Sequence, residues 1–541
     1  MRSKRAFVTA VAIAVAVVCL EALSASSQTT YCVRAGASGA GDGSDWDNAF
    51  PSLPAVLVRG ATYYIASGVY PSYTFDDAED GATVITVKKA IAVDHGTDQG
   101  WLPAYGEGQA VFNSTMRFER GYYVFDGQTR NESDWFDGAS YGFKVEHSNQ
   151  HQNIVVGVQE HHAVSSIVIK YVFVDAMTTL PNFSVRMFAI DTDVHGPATG
   201  FQTIGRGFVF HRMYVRGGNN AWFLRTTDGA IVEYCAASGQ RNNEQNHAET
   251  FNLYYSANNA IIRYNQIRDF CTVGTRGTAV VAIAYSGGLS FYGNVVSDFA
   301  AGDGVVGFDG YASSNNKIYN NTFIRGVNGN SGLAFGTGLK NEIRNNLWID
   351  CSTISFLSGA GDHDYNGYTG SNAYGEAHAQ VNIPTSILVN YAGGDYRLAS
   401  RTKTGAVLPA PYDRDYLGSV RGADGSWDRG ACEFGRGRSS NPVISVSPSS
   451  LDFGVIAAGA TNQLSFTVRN VGAGTLAGAV IVPEPFGIVS GECYSLGNNQ
   501  SQTVIVRYRP AAAGNHRQNV TFTGGGGAVG VVSGGAYGAS P

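Results

Sequence analysis

Ile318-Tyr-Asn-Asn-Thr-Phe323 is one copy of a frame that recurs four times in the middle of the chain. The recurring residue is Asn265, Asn294, Asn321 and Asn346, at intervals of 29, 27 and 25. An apolar residue stands three before each Asn and another two after it: Ile262/Ile267, Phe291/Val296, Ile318/Phe323 and Ile343/Trp348. Self-similarity at a period of 20–50 residues marks a stacked-repeat architecture. Side chains alternate along a straight strand, so two residues five apart point to opposite faces unless the chain bends between them. Asn tolerates the left-handed conformation of a tight bend, which places the bend at these Asn residues. Stacked Asn amides also hydrogen-bond from level to level, as in cross-β ladders.

The frame extends backwards with Cys235, Met213 and Val172 in the Asn slot, giving seven levels between Ile169 and Trp348. A second strand precedes each bend: Thr250–Tyr254, Val280–Ala284, Val305–Asp309 and Gly332–Gly336. Period-two alternation sends Phe251 and Leu253, Val281 and Ile283, Val306 and Phe308, and Leu333 and Phe335 inward. Coils of this kind bury their apolar face only by stacking, which predicts a solenoid with parallel sheets.

The 541 residues leave room for a solenoid and a further module. With 69 Gly and 57 Tyr plus Phe, the composition favours short strands and turns. A net charge of −6 argues against nucleic acid or an anionic membrane as partner. Arg2, Lys4 and Arg5 precede the apolar run Ala6 to Leu20, and small residues follow to Ser27. That is the layout of a signal peptide over 1–27, predicting a secreted or cell-surface protein with no membrane span after its removal. Six cysteines then remain, and Cys271 and Cys351 fall three levels apart, about 14 Å, too far for a disulfide. Buried free thiols are expected.

Tyr31-Cys-Val-Arg-Ala-Gly-Ala-Ser-Gly39 and Gly43-Ser-Asp-Trp-Asp-Asn-Ala49, with the closing run Arg429-Gly-Ala-Cys-Glu-Phe434, resemble the ends of bacterial right-handed parallel β-helix proteins of the pectate-lyase-like superfamily. Arg429 and Cys432 depart from the usual closing motif. The resemblance implies an all-β fold, a right-handed parallel β-helix over 28–436. It does not choose an activity, because the superfamily holds lyases, hydrolases, epimerases and non-enzymes. A Gly/Ser/Pro linker at 437–442 follows. Over 443–541, Ile444–Gly454, Phe466–Asn470 and Val504–Tyr508 alternate at period two between turns, the habit of a small antiparallel β-sandwich. Asp452-Phe-Gly454 and Tyr508-Arg-Pro-Ala-Ala-Ala-Gly514 resemble the immunoglobulin-like domains of the ASPM/SPD-2/Hydin group.

The alternation that buries Phe and Leu turns Asn252, Ala282, Gly307 and Ala334 outward, beside Tyr254, Ala284, Asp309 and Gly336. Small residues on successive levels leave a floor for an extended polymer. At one rim stand His247, Glu249, Arg276 and Asp303; His247, Arg276 and Asp303 each lie 18 residues before a bend Asn. A base with a nearby cation suits β-elimination on a uronic acid polymer. His247 or Glu249 serves as base, Arg276 neutralises the sugar carboxylate, and Asp303 or Asp309 positions substrate or a metal. Glu249 and Asp303 as paired carboxylates suit glycoside hydrolysis instead. Asn252, Tyr254 and Trp222 are substrate-binding candidates, Trp222 fitting a core position equally well. Asp191-Thr-Asp193-Val-His195 offers oxygen ligands for Ca²⁺, the one cofactor candidate. His147, His151, His161 and His162 lack metal-ligand spacing. The expected partner is an extracellular polysaccharide and the expected state a monomer. A non-catalytic adhesin or structural stalk is the rival reading.

Overall fold

The computed structural model describes residues 29–541 apart from 147–151, 157–163, 177–185, 192–203, 243–247, 275–276, 309–312, 335–339, 356–360, 436–441, 443, 449, 471–474, 498–499, 526 and 539–541. The side chains of 152–153, 156, 186–191, 308 and 334 also fall outside the description. The expected signal peptide and nearly all of the expected linker therefore lie outside the described residues.

Three parallel sheets of 12, 11 and 9 strands wind around one core. One coil runs from the nine-stranded sheet (Glu249–Tyr254) to the twelve-stranded sheet (Ile261–Arg263), turns at Asn265, and continues into the eleven-stranded sheet (Gln266–Phe270). The apolar frames lie in register: Ile262, Phe291, Ile318 and Ile343 pair in one sheet. Ile267, Val296, Phe323 and Trp348 pair in another. All eight are buried in the common core. No coil covers its own apolar side, so this stacking is what stabilises each one.

At the bend the structure corrects the sequence reading. The left-handed residue is the one before each ladder Asn: Tyr264 (φ 59°), Gly293 (66°), Asn320 (54°) and Asn345 (58°). The ladder Asn residues themselves are held by hydrogen bonds. Asn265 Nδ2 donates to Asn294 Oδ1 at 3.0 Å, Asn294 to Asn321 at 3.0 Å, Asn321 to Asn346 at 2.9 Å and Asn346 to Asn366 at 3.0 Å. Each amide also reaches a backbone carbonyl of the preceding coil, as Asn321 Nδ2 does to Phe291 O at 2.9 Å. Each Oδ1 accepts a backbone N–H as well, as Asn321 Oδ1 does from Asn294 N at 2.9 Å. Buried amides of this kind persist only when fully satisfied. Cys235 takes the same slot with a thiol, donating to Phe210 O at 3.5 Å and accepting from Met213 N at 3.4 Å. Burial pushes that thiol up to about 12. The six described cysteines are free; Cys32, Cys235, Cys271 and Cys432 are buried, Cys351 half-buried and Cys493 exposed.

The closing run is tied into the last coils through Arg429. Arg429 is buried and donates to Asn366 O at 2.6 Å, His378 O at 2.8 Å and Lys403 O at 3.1 Å, so it satisfies carbonyls at the end of the solenoid. Cys432 packs among Ile324, Leu347 and Ile349. Beyond it, sheets of four and five strands form a sandwich over Phe466, Val504, Tyr508 and Phe522. Its pairs are antiparallel except Ser450–Ala457 beside Ala528–Tyr537, which run parallel.

Candidate functional site

The outer face of the nine-stranded sheet is shaped by a break in alternation. Ala221 and Trp222, Val280 and Val281, and Val305 and Val306 are consecutive pairs, and both members of each belong to the core. The residue ahead of each pair is buried as well. Asn220, Glu249, Ala279 and Gly304 occupy that position on four successive coils, in register. A Cβ on outward-facing Gly307 would stand 3.0 Å from Ala279 Cβ and 3.1 Å from Asp303 Cβ, which places all three on one surface.

Glu249 is a buried carboxyl group in this row. Its Oε2 accepts from Asn220 Nδ2 at 2.5 Å on the preceding coil and from Asn252 Nδ2 at 3.3 Å on its own strand. The carboxylate is buried, and a buried charge persists only with hydrogen-bonding partners. Two coils on, Asp303 is exposed. The coil rise puts the backbones of these two levels about 10 Å apart. Between them lie Ala279, buried, and Ala282, half-buried.

The predicted residues fare unequally. His247, Arg276 and Asp309 lie outside the described residues. The common register counted from the bend is therefore described only at Asp303, one residue before Gly304. Asn252 is nearly buried and Tyr254 half-buried at the end of the same strand. Trp222 is enclosed in the core, stacked on Phe251 with centroids 5.1 Å apart, so the core position is the one it occupies. The Asp191, Asp193 and His195 side chains and the four-histidine stretch lie outside the described residues. Among the described residues no group of three or more His, Cys, Asp or Glu is placed to hold a metal ion.

A second polar array, on the twelve-stranded sheet, escaped the sequence reading. His211, Glu233 and Arg263 pair directly across three coils. Glu233 contacts His211 Nδ1 at 3.0 Å and Arg263 Nη2 at 2.6 Å, and Arg263 donates to Tyr292 OH at 2.9 Å. Burial alone would raise the Glu233 carboxyl, but the His211 and Arg263 hydrogen bonds and charges outweigh it and bring it down to about 2. The signal was available: each residue directly follows the first apolar member of a frame, after Phe210, Val232 and Ile262.

Residues 442–528 match the family model of the HYDIN/CFA65/VesB-like Ig-like domain. No curated protein gave a significant match. Among solved structures, the ASH/PapD-like domain of human CEP192 is 15% identical with a TM-score of 0.17, covering 19% of this chain and 91% of its own. The secreted serine protease VesC from Vibrio cholerae is 20% identical with a TM-score of 0.16, covering 18% of this chain and 24% of its own. Tailspike protein 2 of the Escherichia coli O157:H7 bacteriophage CAB120 is 11% identical with a TM-score of 0.25 and covers 88% of this chain. This chain spans 59% of that tailspike's length. Among the described residues no helix is long and apolar enough to cross a membrane.

Proposed function

We propose that this is an exported glycan-binding protein whose nine-stranded sheet receives an extracellular polysaccharide, and that it cleaves an acidic glycan by β-elimination. The observation that carries this reading is the Glu249 carboxyl group, held by Asn220 and Asn252 on the sheet whose next levels carry Ala279, Ala282, Gly304 and Gly307. Glu249 or His247 removes the C5 proton α to the uronate carboxyl and Arg276 steadies the charge that develops; the C4–C5 double bond then forms as the C4–O4 bond breaks, and the leaving oxygen takes the proton back from the base. Asn252 and Tyr254 hold the sugar, with Asp303 and Asp309 positioning it. Export rests on the basic and apolar residues at 2–20. The division into a β-helix over 28–436 and a sandwich over 443–541 belongs to the same proposal.

A hydrolase is the second reading, favoured by two carboxyl residues, Glu249 and Asp303, two coils apart on one sheet. Inverting enzymes hold their two carboxyls about 6.5–9.5 Å apart. The test incubates the secreted protein with uronate-containing and neutral polysaccharides and follows unsaturated products and reducing ends. Unsaturated ends that vanish in Glu249→Gln and fall in Arg276→Ala support the lyase. Reducing ends without unsaturation support the hydrolase. Binding without cleavage leaves a glycan-binding protein, and neither binding nor cleavage leaves the stalk.

A further inference from the structure

We infer that Arg268 and Gln266, on the outer face of the eleven-stranded sheet, bind a uronate residue of a polysaccharide; this rests on the reading that the protein takes an acidic glycan. Both belong to the strand Gln266–Phe270, where alternation about the core residue Ile267 turns them outward. Arg268 is exposed and Gln266 half-buried. Other arginines of this sheet and its margin are paired. Arg216 binds Asp175 through two bonds of 2.9 and 2.7 Å, Arg241 meets Asp269 at 2.8 Å and Arg325 meets Asp298 at 2.5 Å. Among the described residues neither the Arg268 guanidinium nor the Gln266 side-chain amide has a hydrogen-bond partner. The guanidinium lies instead over the Phe136 ring, 3.6 Å from its centroid. Phe136 is braced in turn, edge-on to Tyr214 at 5.6 Å, and Tyr214 OH shares a hydrogen bond of 2.8 Å with Ser238 Oγ.

This coil lies between two covered stretches of the sheet. Trp135 and Tyr141 pack over Phe173, Tyr214 and Ala236 on the preceding coils. Ile387, Leu398 and Cys432 pack over Val295, Ile324 and Leu347 on the following ones. Gln266 pairs with Ala236 on one side and Val295 on the other, so it and Arg268 stand where the first cover ends and the second begins. The small residues Ser238 and Ser297 flank Arg268 in register. Stacking on Phe136 takes one face of the guanidinium and leaves its N–H edge for a ligand. That fork matches the two oxygens of a carboxylate. An arginine held in place beforehand also loses less rotamer freedom on binding. The Gln266 amide both donates and accepts, which suits the hydroxyls beside the carboxylate on a sugar ring. A uronate residue presents the two kinds of group together.

The test titrates hexasaccharides of polygalacturonate and alginate, each as the free acid and as its methyl ester, calorimetrically into the full chain. For an acid that the wild type binds, Arg268→Gln is expected to weaken binding about tenfold, and to change binding of its ester by less than about twofold. Arg268→Lys keeps the charge without the fork and should lose about threefold on the acid. Gln266→Ala should weaken acid and ester alike, by about threefold. Unchanged binding of the acid in Arg268→Gln overturns the subsite and leaves the acidic-glycan reading standing. Equal loss of acid and ester in Arg268→Gln overturns recognition of the carboxylate. Full affinity in Arg268→Lys overturns the fork in favour of a point charge. A wild type that binds neither acid overturns both the subsite and the reading beneath it.

Discussion

Glu376 terminates the asparagine ladder at Asn366. Its Oε2 accepts the Asn366 backbone N–H at 2.9 Å and its Oε1 accepts the Asn366 side-chain amide at 2.8 Å. A carboxylate thus offers the two acceptors that a further ladder Asn supplies with one Oδ1. Tyr368 donates to the same Oε1 at 2.6 Å. Burial favours the neutral acid, yet the bonds from His363, Tyr368 and Asn366 outweigh it and lower its pKa.

Glu376→Ala should therefore destabilise the C-terminal coils. It strands two buried donors of Asn366 and one of Tyr368, at a cost of about 1–3 kcal/mol per unsatisfied group before relaxation. A urea midpoint unchanged from wild type, at unchanged slope, would show that the terminator contributes nothing.

Asn321→Val should cost about 3 kcal/mol or more, because Asn294 loses the acceptor for both its backbone and side-chain N–H groups. Asn321→Gly should be no better, since the left-handed residue is Asn320. Rescue by glycine at 321 would contradict the placement of strain one residue earlier.

The acid limb of stability should depend on Glu233. Its carboxyl falls from 4.5 to about 2 on folding, so the native state binds fewer protons than the unfolded chain between those values. The stabilisation is present above pH 4.5 and is lost as pH falls towards 2. The full shift corresponds to about 3 kcal/mol, an upper figure for a group coupled to His211 and Arg263. Glu233→Gln should flatten unfolding midpoints between pH 5 and 2.5, and an acid limb identical to wild type would assign it to other carboxylates.

A chain ending at Arg438 should fold without the sandwich. The interactions that close the solenoid, through Arg429 and Cys432, lie wholly before that point. Cooperative unfolding of the truncated chain as a soluble species is the expected result. Aggregation of it alone would make the sandwich a cap.

The core of the solenoid was readable because its frames are strictly local. Ile262 and Ile267 sit five apart on every coil, and no insertion separates them. The left-handed position was misplaced by one because the residue before the Asn varies, Tyr264 first and then Gly293, Asn320 and Asn345, while the Asn itself is constant. Constancy there reflects hydrogen bonding between coils rather than backbone conformation. The site was less legible for a related reason. Paired inward residues such as Val280 and Val281 interrupt alternation, and Glu249, counted as a rim residue, is buried against the amides of Asn220 and Asn252.

The ladder makes the length of the molecule a quantised variable. Each rung shows its neighbours the same donors and the same acceptor, so Asn265 could meet Asn321 as readily as it meets Asn294. Excising residues 294–320 would delete one whole coil and shorten the rod by about 4.8 Å without leaving an unmatched amide. Duplication of the same segment would lengthen it by the same step. Evolution of such a chain can change its reach by copying or dropping coils, while point changes at the rungs are penalised.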